Sequence, residues 1–218
     1  ANNYQQDDLK PYLFVTRDYG QSWQSIVNNL PAYGNVQVVR EDLKNKELLF
    51  VGTEFGLYVS QNGGGEWKKF MNNFPTVRVD DIMIHPREND LLVATHGRGV
   101  WIMDDITPLQ YLSSSIASQD VVLFDIRDPV AYMNDRRLAS YVGGQKMFAG
   151  ENAPRGTSIN YFLKNPAMDV KISIKNASGG EVRTIEGTKG AGINRVQWNL
   201  APTPRQGHGP WDGSRSPD

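Results

Sequence analysis

The residues predict an all-β chain, a run of β-propeller blades followed by a small β-sandwich. The first observation is a repeat. Phe14 to Pro31 aligns without a gap on Tyr58 to Pro75, 44 residues apart, with Trp23 on Trp67 and Asn28-Asn29 on Asn72-Asn73. A period of roughly 40–50 residues made of short β-runs is that of a propeller blade. The second observation is texture: between residues 11 and 105, runs of Val, Ile, Leu, Phe and Tyr are broken by Gly, Asn, Asp and Pro, with no long helical period. The third is a change of pattern after residue 157, where four alternating segments follow one another at a spacing of about 10–12 residues, that of a small sandwich.

Taken in order, strands are expected at about 12–16, 22–27, 35–40, 47–52, 56–60, 66–70, 79–84, 90–95 and 99–103. Turns such as Glu41 to Lys46 and His85 to Asp90 separate them. Leu49-Phe50-Val51-Gly52-Thr53 followed by Gly56-Leu57-Tyr58 matches Leu91-Leu92-Val93-Ala94-Thr95 followed by Gly99-Val100-Trp101, with one extra residue in the second turn. One blade therefore reads as three strands, an Asp/Gly turn and a Trp strand. The chain holds the end of one blade, a complete one and most of a third, too few to close a ring. Residues 106–120 read as a short helix or wrap and 121–124 as one more strand, so the blades are carried to residue 133. A linker is expected over 134–156. Ser158–Leu163, Val170–Lys175, Glu181–Glu186 and Ile193–Leu200 form the second domain, 157–201, with Ser178-Gly179-Gly180 as a hairpin turn. The Pro/Gly/Arg-rich tail, 202–218, has little to bury.

Composition excludes several functions. The 218 residues carry 23 Lys+Arg against 24 Asp+Glu, a net charge of −1, and no basic cluster is interleaved with aromatics. Nucleic acid is therefore not an expected partner. No apolar run approaches the ~18–20 residues of a transmembrane helix. Without cysteine there is no disulfide, thiolate metal site or thiol nucleophile.

Thr16-Arg17-Asp18-Tyr19-Gly20-Gln21-Ser22-Trp23 resembles the Asp box, S/T-x-D-x-G-x-S/T-W, of sialidase-type and sortilin-type propellers. Ser60-Gln61-Asn62-Gly63-Gly64-Gly65-Glu66-Trp67 is a degenerate copy, with Asn for Asp and Glu for Ser/Thr. The motif is structural. Carboxylate and hydroxyl hold turn amides, Gly adopts a conformation closed to other residues, and Trp packs between sheets. Tyr4, Asp7-Asp8, Pro11-Tyr12, Gly52 to Gly56 and Ala94 to Asp105 are similar to the final blades of bacterial sortilin-like, or BNR/YVTN/WD40-like, repeat proteins. Residues 150–156 and 192–200 resemble the immunoglobulin-like domain, akin to the flagellar hook-capping type, that follows those blades. The resemblance implies a partial immunoglobulin-like sandwich and a piece of a longer exported bacterial protein, extracytoplasmic, whose remaining blades or other chains are its partners.

Thr16, Asp18, Gly20, Ser22, Trp23, Ser60, Asn62, Gly64 and Trp67 are thus expected to staple turns, at the ring end opposite the usual ligand mouth. Strand connectivity puts Glu54, Phe55, His96 and Arg98 on the other face, with Glu54 and His96 at equivalent places in adjacent blades. These four are the candidate ligand face. A glycosidase needs paired carboxylates, and Glu54 is the one acid suitably placed. His85, His96 and His208 lack metal-ligand spacing, and Asp80-Asp81 and Asp104-Asp105 read as solvated turns. No catalytic, cofactor or metal residues are assigned. The expected function is a non-enzymatic binding or scaffold module for protein, peptide or glycan. The alternatives are a wall segment of a sialidase-like hydrolase and an accessory subunit of an assembly joined through open strand edges.

Overall fold

The structure, a computed structural model, describes residues 1–129 and 154–203. The chain divides into two compact units, Ala1–Ser118 and Gln119–Asp218.

The first unit contains three antiparallel sheets. A 3-10 turn, Tyr4–Gln6, precedes β1 (Phe14–Val15) and β2 (Gln24–Ser25), which pair as a two-stranded ribbon. A four-stranded sheet follows in chain order: β3 (Val36–Glu41), β4 (Leu49–Thr53), β5 (Gly56–Ser60) and β6 (Lys68–Lys69). The third sheet has β7 (Val79–Ile84), β8 (Leu91–Thr95) and β9 (Val100–Met103). All nine expected strands are present, and the repeat extends to their irregularities. The register shift between Val36 and Val38 recurs between Val79 and Asp81.

The packing explains why the second sheet is apolar on both faces. Every residue of β4 and β5 is buried. On one side Phe50, Leu57 and Val59 pack with Val79, Ile82, Leu91 and Val93 of the third sheet. On the other, Leu49, Val51 and Tyr58 pack with Leu13, Ile26 and Leu30 around the ribbon. Sheets stacked face to face need this continuous apolar texture where a one-sided sheet would alternate. Each such side chain contributes about 1.5–3 kcal/mol on burial.

Among the described residues β9 ends the third sheet without a fourth strand, and Val100, Ile102 and Met103 are exposed. The chain turns instead into α1 (Thr107–Tyr111), with Pro108 in its first turn, and α2 (Ser114–Ala117). Ile106 and Leu109 close the core below the sheets. Buried Gln110 donates to Asp42 Oδ2 and Asn89 Oδ1, both at 2.8 Å, and so ties α1 to two interstrand turns.

In the second unit, β10 (Val121–Leu123), β11 (Thr157–Leu163) and β14 (Gly192–Trp198) form one sheet in the order β10-β11-β14. β12 (Lys171–Lys175) and β13 (Glu181–Glu186) form a hairpin. Its turn is held by Asn176 Oδ1, which accepts the amides of Ser178 and Gly180, while Gly179 supplies a positive φ of 84°. The Tyr161 hydroxyl donates to the Thr188 carbonyl at 2.5 Å, linking β11 to the segment after β13. The strand at 121–123, which the sequence reading includes with the blades up to 133, hydrogen-bonds to β11 and so lies in the second unit. The linker expected over 134–156 lies outside the described residues apart from its last three positions, as does the tail after Thr203.

Candidate functional site

The two repeated turns are built from their own side chains. In the first, Thr16 Oγ1 donates to Asp18 Oδ1 at 2.9 Å and accepts the Gly20 amide at 2.8 Å. The Ser22 amide donates to Asp18 Oδ1 at 2.9 Å and its hydroxyl to Oδ2 at 2.5 Å. The Ser22 hydroxyl, the Ser22 amide and the Thr16 hydroxyl together hold the Asp18 carboxyl down to about 2. The second turn keeps the geometry with a carboxamide. Ser60 Oγ donates to Asn62 Oδ1 and accepts the Gly64 amide, both at 2.9 Å, while the Glu66 amide donates to Asn62 Oδ1 at 2.8 Å. Gly20 and Gly64 take φ of +89° and +87°, the left-handed region that a side chain resists.

The tryptophans differ. Trp67 is 3% exposed and its indole N–H donates to the Ile26 carbonyl at 2.8 Å. Its backbone is clamped by Asn29, whose Oδ1 accepts the Trp67 amide at 2.7 Å and whose Nδ2 donates to the Trp67 carbonyl at 2.8 Å. Asn28 Nδ2 donates to the Gly64 carbonyl. Trp23, expected to pack between sheets in the same way, is 63% exposed. The burial of Trp67 comes from the preceding ribbon and its Asn28-Asn29 linker, and among the described residues no such element precedes Trp23.

The face opposite these turns carries a cavity of about 730 Å³. Glu54 and Phe55, in the β4–β5 turn, stand on its wall. Thr53 Oγ1 sets that turn by donating to the Gly56 carbonyl at 3.1 Å and accepting the Phe55 amide at 3.2 Å. Tyr33, Gly34 and Asn35 come from the linker before β3, and Gln37 from β3 itself. Gly34, at φ +117°, allows Phe55 to approach: a Cβ there would meet the Phe55 ring at 2.9 Å. Tyr4 and Leu9 come from the N-terminal segment, held against the linker by the Gly34 amide donating to the Leu9 carbonyl at 2.9 Å. Within that segment the Tyr12 hydroxyl donates to Asp8 Oδ2, which lowers the Asp8 carboxyl and raises the Tyr12 phenol. Tyr4, Tyr33 and Phe55 are 53%, 72% and 51% exposed, so three rings rim one opening.

Arg78, just before β7, completes the lining. Its Nε donates to Asp80 Oδ1 at 2.6 Å, which lowers the Asp80 carboxyl and raises the guanidinium, with the field of Glu54 adding in the same sense. His96 Nδ1 lies 3.2 Å from Arg78 Nη2 and 3.3 Å from Asp80 Oδ2. The candidate ligand face is therefore split. Glu54 and Phe55 line the cavity, His96 sits behind Arg78, and Arg98 is exposed beyond it, its carbonyl accepting the Trp101 indole N–H at 3.1 Å. Gly97 and Gly99, at φ +81° and +72°, flank Arg98 in the turn between β8 and β9.

Sequence reasoning missed Arg78 and Asn35, though the repeat carried the signal. The Glu54 amide donates to the Asn35 carbonyl as the His96 amide does to that of Arg78. The repeat that equates Glu54 with His96 thus equates Asn35 with Arg78. Tyr4 and Leu9 carried no such signal. Elsewhere Asp81 pairs with Arg40 at 2.8 Å. Among the described residues no three His, Asp or Glu side chains converge on a metal position, and no helix is long and apolar enough to cross a membrane.

A family model described as "Sortilin, neurotensin receptor 3" matches residues 12–120, half of the 218-residue chain. No curated protein matches it.

Proposed function

From the premise that the chain belongs to the sortilin (Vps10) family, we propose that its first unit is a non-enzymatic β-propeller binding module. In this reading it recognises a protein or peptide through the cavity bearing Glu54 and Phe55. The observation that carries the reading is the rim: three aromatic rings stand exposed around one opening of about 730 Å³. Exposed apolar groups gathered in one patch mark interaction sites, and aromatic residues supply most of the anchoring energy there. Glu54 is the single acid among the lining residues, whereas glycoside hydrolysis uses a pair of carboxyl groups.

The parent is a longer, exported, extracytoplasmic protein of bacterial type whose other blades complete the ring. The exposed β9 edge and exposed Trp23 favour this: both are surfaces that blades normally cover. The second unit is an immunoglobulin-like domain following the blades.

Peptide and glycan arrays probed with the purified chain test the reading. Retained peptides should be lost on the double change Tyr33→Ala with Phe55→Ala, with an unchanged melting temperature. Hydrolysis of a glycoside by the chain, abolished by Glu54→Gln, would replace binding with catalysis.

A further inference from the structure

We propose that the cavity takes a cationic side chain, the ammonium of a lysine or the guanidinium of an arginine, presented by an extended peptide. This rests on the binding reading above and names the chemistry of its ligand.

The first argument is an imbalance of hydrogen-bonding partners. Glu54 is half-buried, and one protein donor reaches it, Gln37 Nε2 on Oε2 at 3.3 Å. Among the described residues its Oε1 has no protein donor. Asn35 is 2% exposed and its Oδ1 is likewise without one. A half-buried carboxylate gains most from a donor that carries charge. The second argument is electrostatic. The cavity's cation, Arg78, already serves Asp80 at 2.6 Å and leans on His96. Of the two charged side chains in the lining, Arg78 is taken up by Asp80, while Glu54 makes no ion pair among the described residues. An anionic ligand would face that unpaired carboxylate, and a polyol brings acceptors as well as donors. The third argument is the wall. The faces of Tyr4, Tyr33 and Phe55 attract cations through their quadrupoles, and the long aliphatic stems of Lys and Arg pack on apolar surface such as Leu9. An ammonium between aromatic rings and Glu54 would satisfy all three arguments at once.

The test titrates the ¹⁵N-labelled 218-residue chain with blocked pentapeptides, acetyl-Gly-Gly-X-Gly-Gly-amide, where X is lysine, arginine, norleucine or glutamate. The lysine and arginine peptides should move the amides of Glu54, Phe55 and Tyr33, and the other two should not. Glu54→Gln should weaken lysine binding by about tenfold, Tyr33→Ala by a smaller factor. If Glu54→Gln does not fold, salt serves on the unaltered chain: 0.5 M NaCl should weaken the lysine peptide and leave any norleucine signal unchanged. If the norleucine or glutamate peptide binds instead and Tyr33→Ala removes it, the cationic ligand is wrong and the binding surface stands. If no peptide here or on the arrays moves these amides, both fail.

Discussion

The two repeated turns end in opposite places. Both close on themselves through the same side-chain-to-amide bonds, yet Trp67 is 3% exposed and Trp23 63%. The shared staple is local, since the side chains and amides that make it span only Thr16 to Ser22 and Ser60 to Glu66. The tryptophan's environment is not, since Ile26, Asn28 and Asn29 come from 38 to 41 residues upstream of Trp67. A motif can therefore be read from sequence as a turn without fixing what its aromatic residue touches.

The strongest way to break this comparison is to truncate both rings. Trp67→Ala should cost about 3–5 kcal/mol, in the range of large core truncations, and Trp23→Ala under about 1 kcal/mol, as read by urea denaturation. Equal losses would mean that Trp23 is buried in solution. The two turn glycines come next. Gly64→Ala adds a Cβ 2.9 Å from Ile26 to the strain of its positive φ, whereas at Gly20 the nearest contact is Trp23 at 3.9 Å. About 2–3 kcal/mol is expected for the first and about 1 for the second. The clamp is smaller again. Asn29→Ala leaves the Trp67 amide and carbonyl without their partners and should cost about 1–3 kcal/mol, while the exposed counterpart Asn73 can be changed to Gly at little cost.

The smallest effect sharpens the comparison by pH. Asp18, held down to about 2 from an ordinary 3.8, favours the folded turn at every pH above about 4. That contribution is lost as pH falls toward 2. The Asn62 turn has no such group and should be insensitive over the same range. A carboxyl-carbon NMR titration of Asp18 with a midpoint near 3.8 would refute the arrangement.

Much of the fold was legible because repetition encodes it. Nine strands and the two turns follow from period and breakers, and the short helix or wrap expected over 106–120 contains α1 and α2. Glu54 and Phe55 followed from connectivity alone, since the β4–β5 turn must lie opposite the Asp/Gly turn. The rest of the cavity depends on distant encounters. Tyr4 and Leu9 reach it because the segment before β1 folds back onto Gly34, and no pattern in residues 1–10 encodes that return. Arg98 looked equivalent in role to its neighbours, but it is exposed and stands outside the cavity lining, in a turn one residue longer than that of Glu54. Gln110, lodged between Asp42 and Asn89, was equally invisible, because its partners lie 68 and 21 residues away.

The Asn29 clamp also gives the molecule a direction in time. Trp67 leaves the ribosome after the carbonyl of Ile26 and the carboxamide of Asn29, so its docking site is already synthesised when it appears. Each sheet that follows the ribbon can therefore be packed against one already synthesised. A defect in the Asn28-Asn29 linker would leave Gly64 and Trp67 without their clamp when they emerge.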